Sequence, residues 1–410
     1  MINKKIFVLG LACLLLRLPA IAAPEPHAAS PSLLAAEFAR HFTRLTGGED
    51  IPGAAYAIVD TGGILALGTR GEKRAGAGQP IDPHTVFRIA SLSKGFTAAL
   101  AGRLASRGEI DLAWPLTRFL PEFSIDGPSE AITLLDIIGQ SSGLTPHAFD
   151  NLLEAGVPPA AIRRRFAELK PICRPGTCYS YQNNLFSLIE PVLEAVSGES
   201  EFTALVARDL FEPLAMSDTS AGYTAWQAAA NRAEPHVKRQ GRWQTTEVQP
   251  NYYQVPAAAG INASITDMAK WTAAQLGGRP DVLDPAVVAT LTTPRVVTPR
   301  DLQRKYWRDY LHGAWYGLGW RIYDFAGRTV IYHGGWVSGF RADLALDPEA
   351  GLGLVILFNA ESNTIGELTT QFLAETRQLR QIADMHGATG DPGGDKSPAL
   401  QGTSPTPLAR

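Results

Sequence analysis

The sequence predicts an α/β fold of the α+β type: one antiparallel β-sheet flanked by N- and C-terminal helices, with a mainly helical domain inserted between the two ends of the chain. Three observations lead there. A helix and a β-hairpin open the chain, four short β-rich segments and a helix close it between Tyr316 and Gln381, and a long block from about Leu100 to Arg300 reads as mostly helical. The α/β part is therefore expected at about 31–90 and 312–381 and the helical insertion at about 91–311, with a cleft where the two meet.

At 410 residues, 45% hydrophobic and 19% charged, the chain can bury a sizeable core, which excludes disorder of the whole. Met1 to Ala23 reads as a secretory signal: Lys4 and Lys5 start it, Ile6 to Leu16 is its apolar run, and Ala20-Ile21-Ala22 is a small-x-small cleavage site. That run is too short to span a bilayer comfortably, so an exported protein, periplasmic or secreted, without a stable membrane span is expected. Formal net charge is −3, and loss of Lys4, Lys5 and Arg17 takes it to −6, which argues against nucleic acid as a partner.

Within 24–385, the expected folded domain, Pro31 follows Ser30 and Leu34, Phe38, His41, Phe42 and Leu45 recur at helical spacing, giving a helix to about Thr46 that Gly47-Gly48 ends. Ala54 to Val59 and Ile64 to Thr69 flank Asp60-Thr-Gly-Gly63 as a hairpin. Thr133 to Leu144 has a capped start and stops at Gly143, Asn184 to Val196 ends at Gly198, and Ser264 to Gln275 opens on Ser-x-x-Asp; all three read as helices. Trp226 to Tyr253 reads as a surface-winding insertion. Tyr316–Tyr323, Thr329–His333, Phe340–Leu346 and Leu352–Asn359 read as strands, Thr364 to Gln381 as a helix, and the Gly/Pro/Ser-rich stretch 386–410 as a disordered tail. No internal repeat is evident.

Of the three cysteines, Cys13 lies in the leader. Cys173 and Cys178 bracket Arg-Pro-Gly-Thr, a turn that in an exported chain favours a disulfide. No metal site is expected, because neither these cysteines nor the eight histidines show ligand spacing.

The chemistry centres on Ser91 and Lys94, at i and i+3, which a helix brings to one face. A serine hydroxyl needs a base, and lysine can serve once burial lowers its pKa from ~10.4. The flanking Ile89, Ala90, Phe96, Ala98, Ala99 and Leu100 supply that apolar setting.

Further along stand Tyr181-x-Asn183, directly after the cysteine turn, and His333-Gly334-Gly335, closing a strand. In this order, the three motifs resemble those of the serine β-lactamase and penicillin-binding-protein superfamily, in particular the class C β-lactamase branch with its D,D-peptidase and esterase relatives, over about Pro31 to Leu379. The resemblance implies that Ser91 is the acylated nucleophile and Lys94 its base. Tyr181 would shuttle the proton to the leaving group and later activate water, and Asn183 would hold Lys94 and the substrate amide. Gly335 would let substrate lie along the strand edge, with an oxyanion hole made by the backbone N–H groups of Ser91 and Trp336.

The chain departs from that branch by carrying His333-Gly-Gly where Lys-Thr-Gly is usual, so a fixed cation is missing. With an ordinary pKa of ~6.5, His333 is expected to hold a substrate carboxylate only once protonated, so that carboxylate-bearing substrates gain as pH falls from about 8 to 6; Arg341 is the next candidate cation. The resemblance leaves three activities open: a β-lactamase conferring antibiotic resistance, a D,D-carboxypeptidase, D-aminopeptidase or esterase, and a penicillin-binding protein that acylates without turnover. All act on a small molecule, a β-lactam, a D-Ala-type peptide or an ester. None needs a cofactor, and a monomer is expected.

Overall fold

The computed structural model of the protein describes residues 31–387; the stretch read as a secretory signal and most of that read as a disordered tail lie outside the described residues. The strands in chain order are β1 (Gly53–Asp60), β2 (Gly63–Gly71), β3 (Val86–Arg88), β4 (Ser220–Ala221), β5 (His236–Arg239), β6 (Arg242–Thr245), β7 (Ile261–Ser264), β8 (Val296–Val297), β9 (Leu311–Tyr316), β10 (Arg321–Phe325), β11 (Arg328–Val337), β12 (Phe340–Asp347) and β13 (Leu352–Phe358). Eight of them form one antiparallel sheet in the order β2-β1-β13-β12-β11-β10-β9-β8. The first hairpin thus pairs with the last strand, Ala54 opposite Phe358, so both ends of the chain close one sheet as expected.

β13 is buried along its whole length, which explains its unbroken apolar run: an alternating strand suits a position with one wet face, and at β13 both faces of the sheet are covered. On one face lie the terminal helices Pro31–Gly48 and Thr364–Gly387, packing Phe38, Phe42 and Phe372 around Tyr56. The other face carries the helical block, whose helix Ile265–Gln275 rests on β1 and β13; its N-cap Ser264 accepts from the Asp267 N–H at 3.2 Å. No helix among the described residues is long and apolar enough to cross a membrane.

Several elements depart from expectation. The helix begun at Thr133 ends at Ile138, because Gln140 adopts positive φ and turns its backbone and amide towards residues 180–182 instead of continuing the spiral. Tyr316–Tyr323 is not one strand but the turn between β9 and β10: Gly319, at φ 73°, passes so close to the Ser93–Ser106 helix that a Cβ there would stand 2.6 Å from the Lys94 carbonyl oxygen. The helix expected from Asn184 starts as the 3₁₀ turn Phe186–Ile189 and becomes α-helical at Glu190. Nor does 226–253 merely wind over the surface, for it buries Trp226 edge-on against Phe340 and buries His236, besides forming the β5–β6 hairpin. The inserted block is therefore not purely helical: β3, β7 and β4 make a small sheet inside it.

Candidate active site

That small sheet delivers the nucleophile. β3 pairs with β7 up to Arg88, Ile89 N–H donates to the Ile261 carbonyl at 3.2 Å, and Ala90 at φ 50° bends the chain into the 3₁₀ turn Ala90–Leu92 that carries Ser91. Ser91 thus sits just before the α-helix Ser93–Ser106, and in a 3₁₀ turn i and i+3 eclipse, which keeps Lys94 beneath it. Ser93 fixes the bend by donating to the Ala90 carbonyl at 2.7 Å while accepting from Ile261 N–H at 3.1 Å.

Lys94 is wholly buried. Its Nζ lies 2.8 Å from Asn183 Oδ1, 3.0 Å from the Ala258 carbonyl and 3.3 Å from Ser91 Oγ. The first two partners can only accept. A neutral amine has two hydrogens for them and one lone pair, and the lone pair then faces the serine hydroxyl. Burial pushes the Lys94 pKa below its ordinary value, against the opposing pull of Tyr181 and Asp150, so the amine is made into a base at a position where it can act as one. The Ala258 carbonyl is itself held, since the short helix Pro256–Ala259 is tied to Glu190 through Ala257 N–H at 2.8 Å and to Thr97 through the Ala257 carbonyl at 2.8 Å.

Tyr181 places its ring 4.6 Å from Lys94 Nζ. Gln140 holds the segment around it, donating to the Gln182 carbonyl and accepting from Gln182 N–H, and its own carbonyl receives Ser180 N–H. The Cys173–Cys178 bridge is formed, and its loop is pinned by Ile172 and Gly176 N–H donating to the Gly143 and Ser141 carbonyls. Asn183 donates from Nδ2 to Asp150 Oδ2 at 2.8 Å; Asp150 also receives Asn184 Nδ2 at 3.2 Å and lies 2.9 Å from His147 Nδ1.

β11 completes the site. β10 pairs with it only as far as Tyr332, so from His333 to Val337 it bonds β12 on one side and turns its other edge to the Ser91 turn. Gly335 is required there, because a Cβ would stand 2.2 Å from the Ile89 carbonyl oxygen. Gly334 and Trp336 line the cleft with Ser91, Tyr181 and Asn183.

His333 does not line it. The ring is 1% exposed, with Nε2 3.3 Å from Tyr316 Oη and Nδ1 3.0 Å from the Gly334 carbonyl, and its pKa lies well below the usual value, because of burial first and then the nearby Arg321 and Lys94 charges. The expectation that His333 becomes a cation for a substrate carboxylate below its ordinary pKa is therefore corrected: it is a neutral, buried support. A fixed cation of the cleft is Arg321, ion-paired with Asp301 and set among Tyr179, Tyr181 and Tyr316 with ring centroids 5.6, 5.8 and 5.9 Å away; Arg88 and Arg300 line the cleft too. Burial opposes the Arg321 charge, but its surroundings, Asp301 and the nearby tyrosines together, raise its pKa above the ordinary value. Arg341 instead covers the Trp336 ring at 4.5 Å.

The structure thus lines one cleft of about 1200 Å³ with Ser91, Tyr181, Asn183 and Trp336, sets the buried Lys94 beneath Ser91 and Gly335 against Ile89, and adds Asp150 and Arg321 to the lining, which sequence reasoning missed. A lone arginine in the otherwise uncharged stretch Tyr316–Tyr323 was the available signal for Arg321. Asp150 offered none, since its partner Asn183 is distant in sequence.

The sequence matches the Beta-lactamase family over residues 38–378. It is 26% identical to the Beta-lactamase of Escherichia coli strain K12 over 355 residues, 78% of this chain and 87% of that protein, and 26% identical to Penicillin-binding protein 4 of Amycolatopsis lactamdurans, covering 83% and 87%. Unguisins hydrolase ungD of Aspergillus violaceofuscus is 26% identical over 76% of this chain, which spans only 58% of that relative's length. The octameric penicillin-binding protein homologue from Pyrococcus abyssi superposes with a TM-score of 0.73 at 21% identity, over 84% of this chain and 77% of that one, a likeness of fold.

Proposed function

The chain belongs to the beta-lactamase family of serine hydrolases, and from that premise we propose that it is an exported, class C-like hydrolase that opens the amide of a β-lactam through an acyl-Ser91 intermediate. The observation that carries this reading is the buried Lys94 amine, with two obligate acceptors and the Ser91 hydroxyl around it. Ser91 Oγ attacks the lactam carbonyl as its proton passes to Lys94. The oxyanion forms between the Ser91 and Trp336 N–H groups. The C–N bond then breaks as Tyr181 hands a proton to the leaving nitrogen, with Lys94 replenishing Tyr181. Water entering beside Tyr181 gives up a proton and cleaves the acyl ester, returning free Ser91.

One observation favours a second reading, D-Ala-type peptides or esters: β11 contributes no cation beside Ser91, since His333 is buried, and the arginines that line the cleft, Arg321 among them, stand on other elements. Intact mass after adding a penicillin, followed in time, separates the readings. A transient adduct absent from Ser91→Ala supports the lactamase, a lasting one a penicillin-binding protein without turnover, and no adduct the esterase. Recovery of the mature chain from the periplasm as a monomer tests the export and oligomeric parts of the proposal.

A further inference from the structure

Arg88, the last residue of β3, is a buried cation without a counter-ion. It stands just before the Ser91 turn and lines the same cleft, yet it is 3% exposed, and its Nε and Nη2 are shut off from water and make no hydrogen bond. No other arginine among the described residues leaves two guanidinium nitrogens in that state. Arg321 in this cleft is paired with Asp301, and the buried Arg328 with Asp347, whereas no carboxylate among the described residues pairs with Arg88.

What Arg88 does meet is a ring. Its guanidinium carbon lies 4.2 Å from the centroid of Tyr253, whose hydroxyl donates to Asn262 Oδ1 at 2.6 Å, and Asn262 is the residue opposite Arg88 on β7. A ring beneath a cation offsets part of the desolvation, but it does not satisfy the N–H donors at the guanidinium edge. Burial pushes the Arg88 pKa below the ordinary value, with Tyr253 the first influence opposing it, and arginine does not escape the cost by shedding its proton. A charge kept dry and unpaired beside a nucleophile destabilises the free protein, and an anion entering the cleft removes that cost. The 3₁₀ turn Asn251–Gln254 that supplies Tyr253 adds a second donor: Asn251 lines the cleft, and Tyr252 N–H donates to its Oδ1 at 2.7 Å, which leaves Nδ2 for a ligand.

We propose that Arg88, with Asn251, is a subsite for a carboxylate borne by the molecule whose carbonyl reaches Ser91. This rests on the hydrolase reading and names a substrate class within it, an anionic ester or amide recognised from β3 rather than from β11.

The test uses two ester pairs. Mono-4-nitrophenyl adipate against 4-nitrophenyl hexanoate puts the charge in the acyl half, and 3-acetoxybenzoate against phenyl acetate puts it in the leaving half. In at least one pair Arg88→Met should lower the charged-to-neutral ratio of kcat/KM values about tenfold, chiefly through KM, with Arg88→Lys keeping part of it. Damage to the Ser91 turn would lower both members of a pair alike. Ratios that stay fixed in both pairs, or fall no further than in Arg300→Met, which removes another charge from the cleft lining, overturn the proposal. A second measurement needs no turnover. In Ser91→Ala protein benzoate but not benzamide should raise the melting temperature, and adding Arg88→Met should abolish that rise. Arg88→Met by itself should melt no lower than the parent protein, since it removes an unpaired buried charge; a loss of several degrees would show that the stack on Tyr253 is what keeps Arg88 there, against the proposal. If benzoate stabilises through Arg88 while no ester acylates Ser91, the subsite stands and the hydrolase reading falls. If the esters acylate Ser91 while ratios and melting ignore Arg88, the subsite falls and the hydrolase reading stands.

Discussion

At Asn183 a planar amide that could face either way is given a direction by Asp150. The carboxylate accepts only, so Nδ2 must point to it and Oδ1 to Lys94, and an acceptor at Lys94 leaves the amine's lone pair for Ser91. Asp150→Asn removes both the direction and a negative charge that raises the Lys94 pKa against the larger lowering by burial. The acidic limb of kcat/KM should therefore move to lower pH and its plateau should fall about tenfold or more; a limb that stays in place would show Asp150 to be structural only. His333 gives the opposite expectation from the one its sequence position suggested. Since its folded pKa is depressed, the unfolded chain binds the extra proton, and the stabilisation it contributes is present above ~6.5 and lost as pH falls below it. Melting temperature should drop below that pH less steeply in His333→Gln, whereas the ratio of penicillin to neutral-ester kcat/KM should show no gain from pH 8 to 6 that His333→Gln abolishes.

The elements read best where local chemistry set them: Asp60-Thr-Gly-Gly63 between two apolar runs announced its hairpin, and Ser264 its helix. They read worst where a distant partner overrides propensity. Nothing local in 133–144 says that Gln140 will leave the helix to hold residues 180–182, and nothing in Tyr316–Tyr323 says that Gly319 must skirt Lys94. Gly319→Ala tests the second case. With φ at 73° and a Cβ 2.6 Å from the Lys94 carbonyl oxygen, it should cost about 2–4 kcal/mol by thermal unfolding and also lower kcat/KM, because the helix carrying Lys94 has to move. The disulfide should behave in the reverse proportion. Its ring is too short to remove much chain entropy, but Ile172, Cys178 and Tyr179 line the cleft, so reduction should lower turnover several-fold while melting temperature changes little. Equal loss of both would refute that.

On the scale of the whole molecule, one sheet separates two cores, and only one of them touches the chemistry. The core beneath the helical block contains Ile89, Ala90 and Phe96 around the Ser91 turn, whereas the core on the far face holds the terminal helices. This division was foreseeable from the order of elements along the chain. What joins the C-terminal helix to the sheet was not, because Arg328, Asp347 and Thr376 are charged or polar residues that sequence patterning assigns to solvent. In the fold Arg328 and Asp347 form a buried ion pair; Arg328 Nη2 also donates to the Leu373 carbonyl at 2.8 Å, and Thr376 Oγ1 to Asp347 Oδ2 at 3.1 Å. Removing one partner of such a pair strands the other without water or counter-charge, which costs more than the pair itself contributes. Asp347→Ala should therefore lower unfolding free energy by about 3–5 kcal/mol, and Arg328→Met combined with Asp347→Leu should recover much of it by removing both charges. Because the pair lies on the face away from Ser91, kcat/KM measured well below the melting temperature should match the parent protein in both variants. A matching loss of activity and stability would mean that the two cores are coupled through the sheet, and that the terminal helices help to set the cleft.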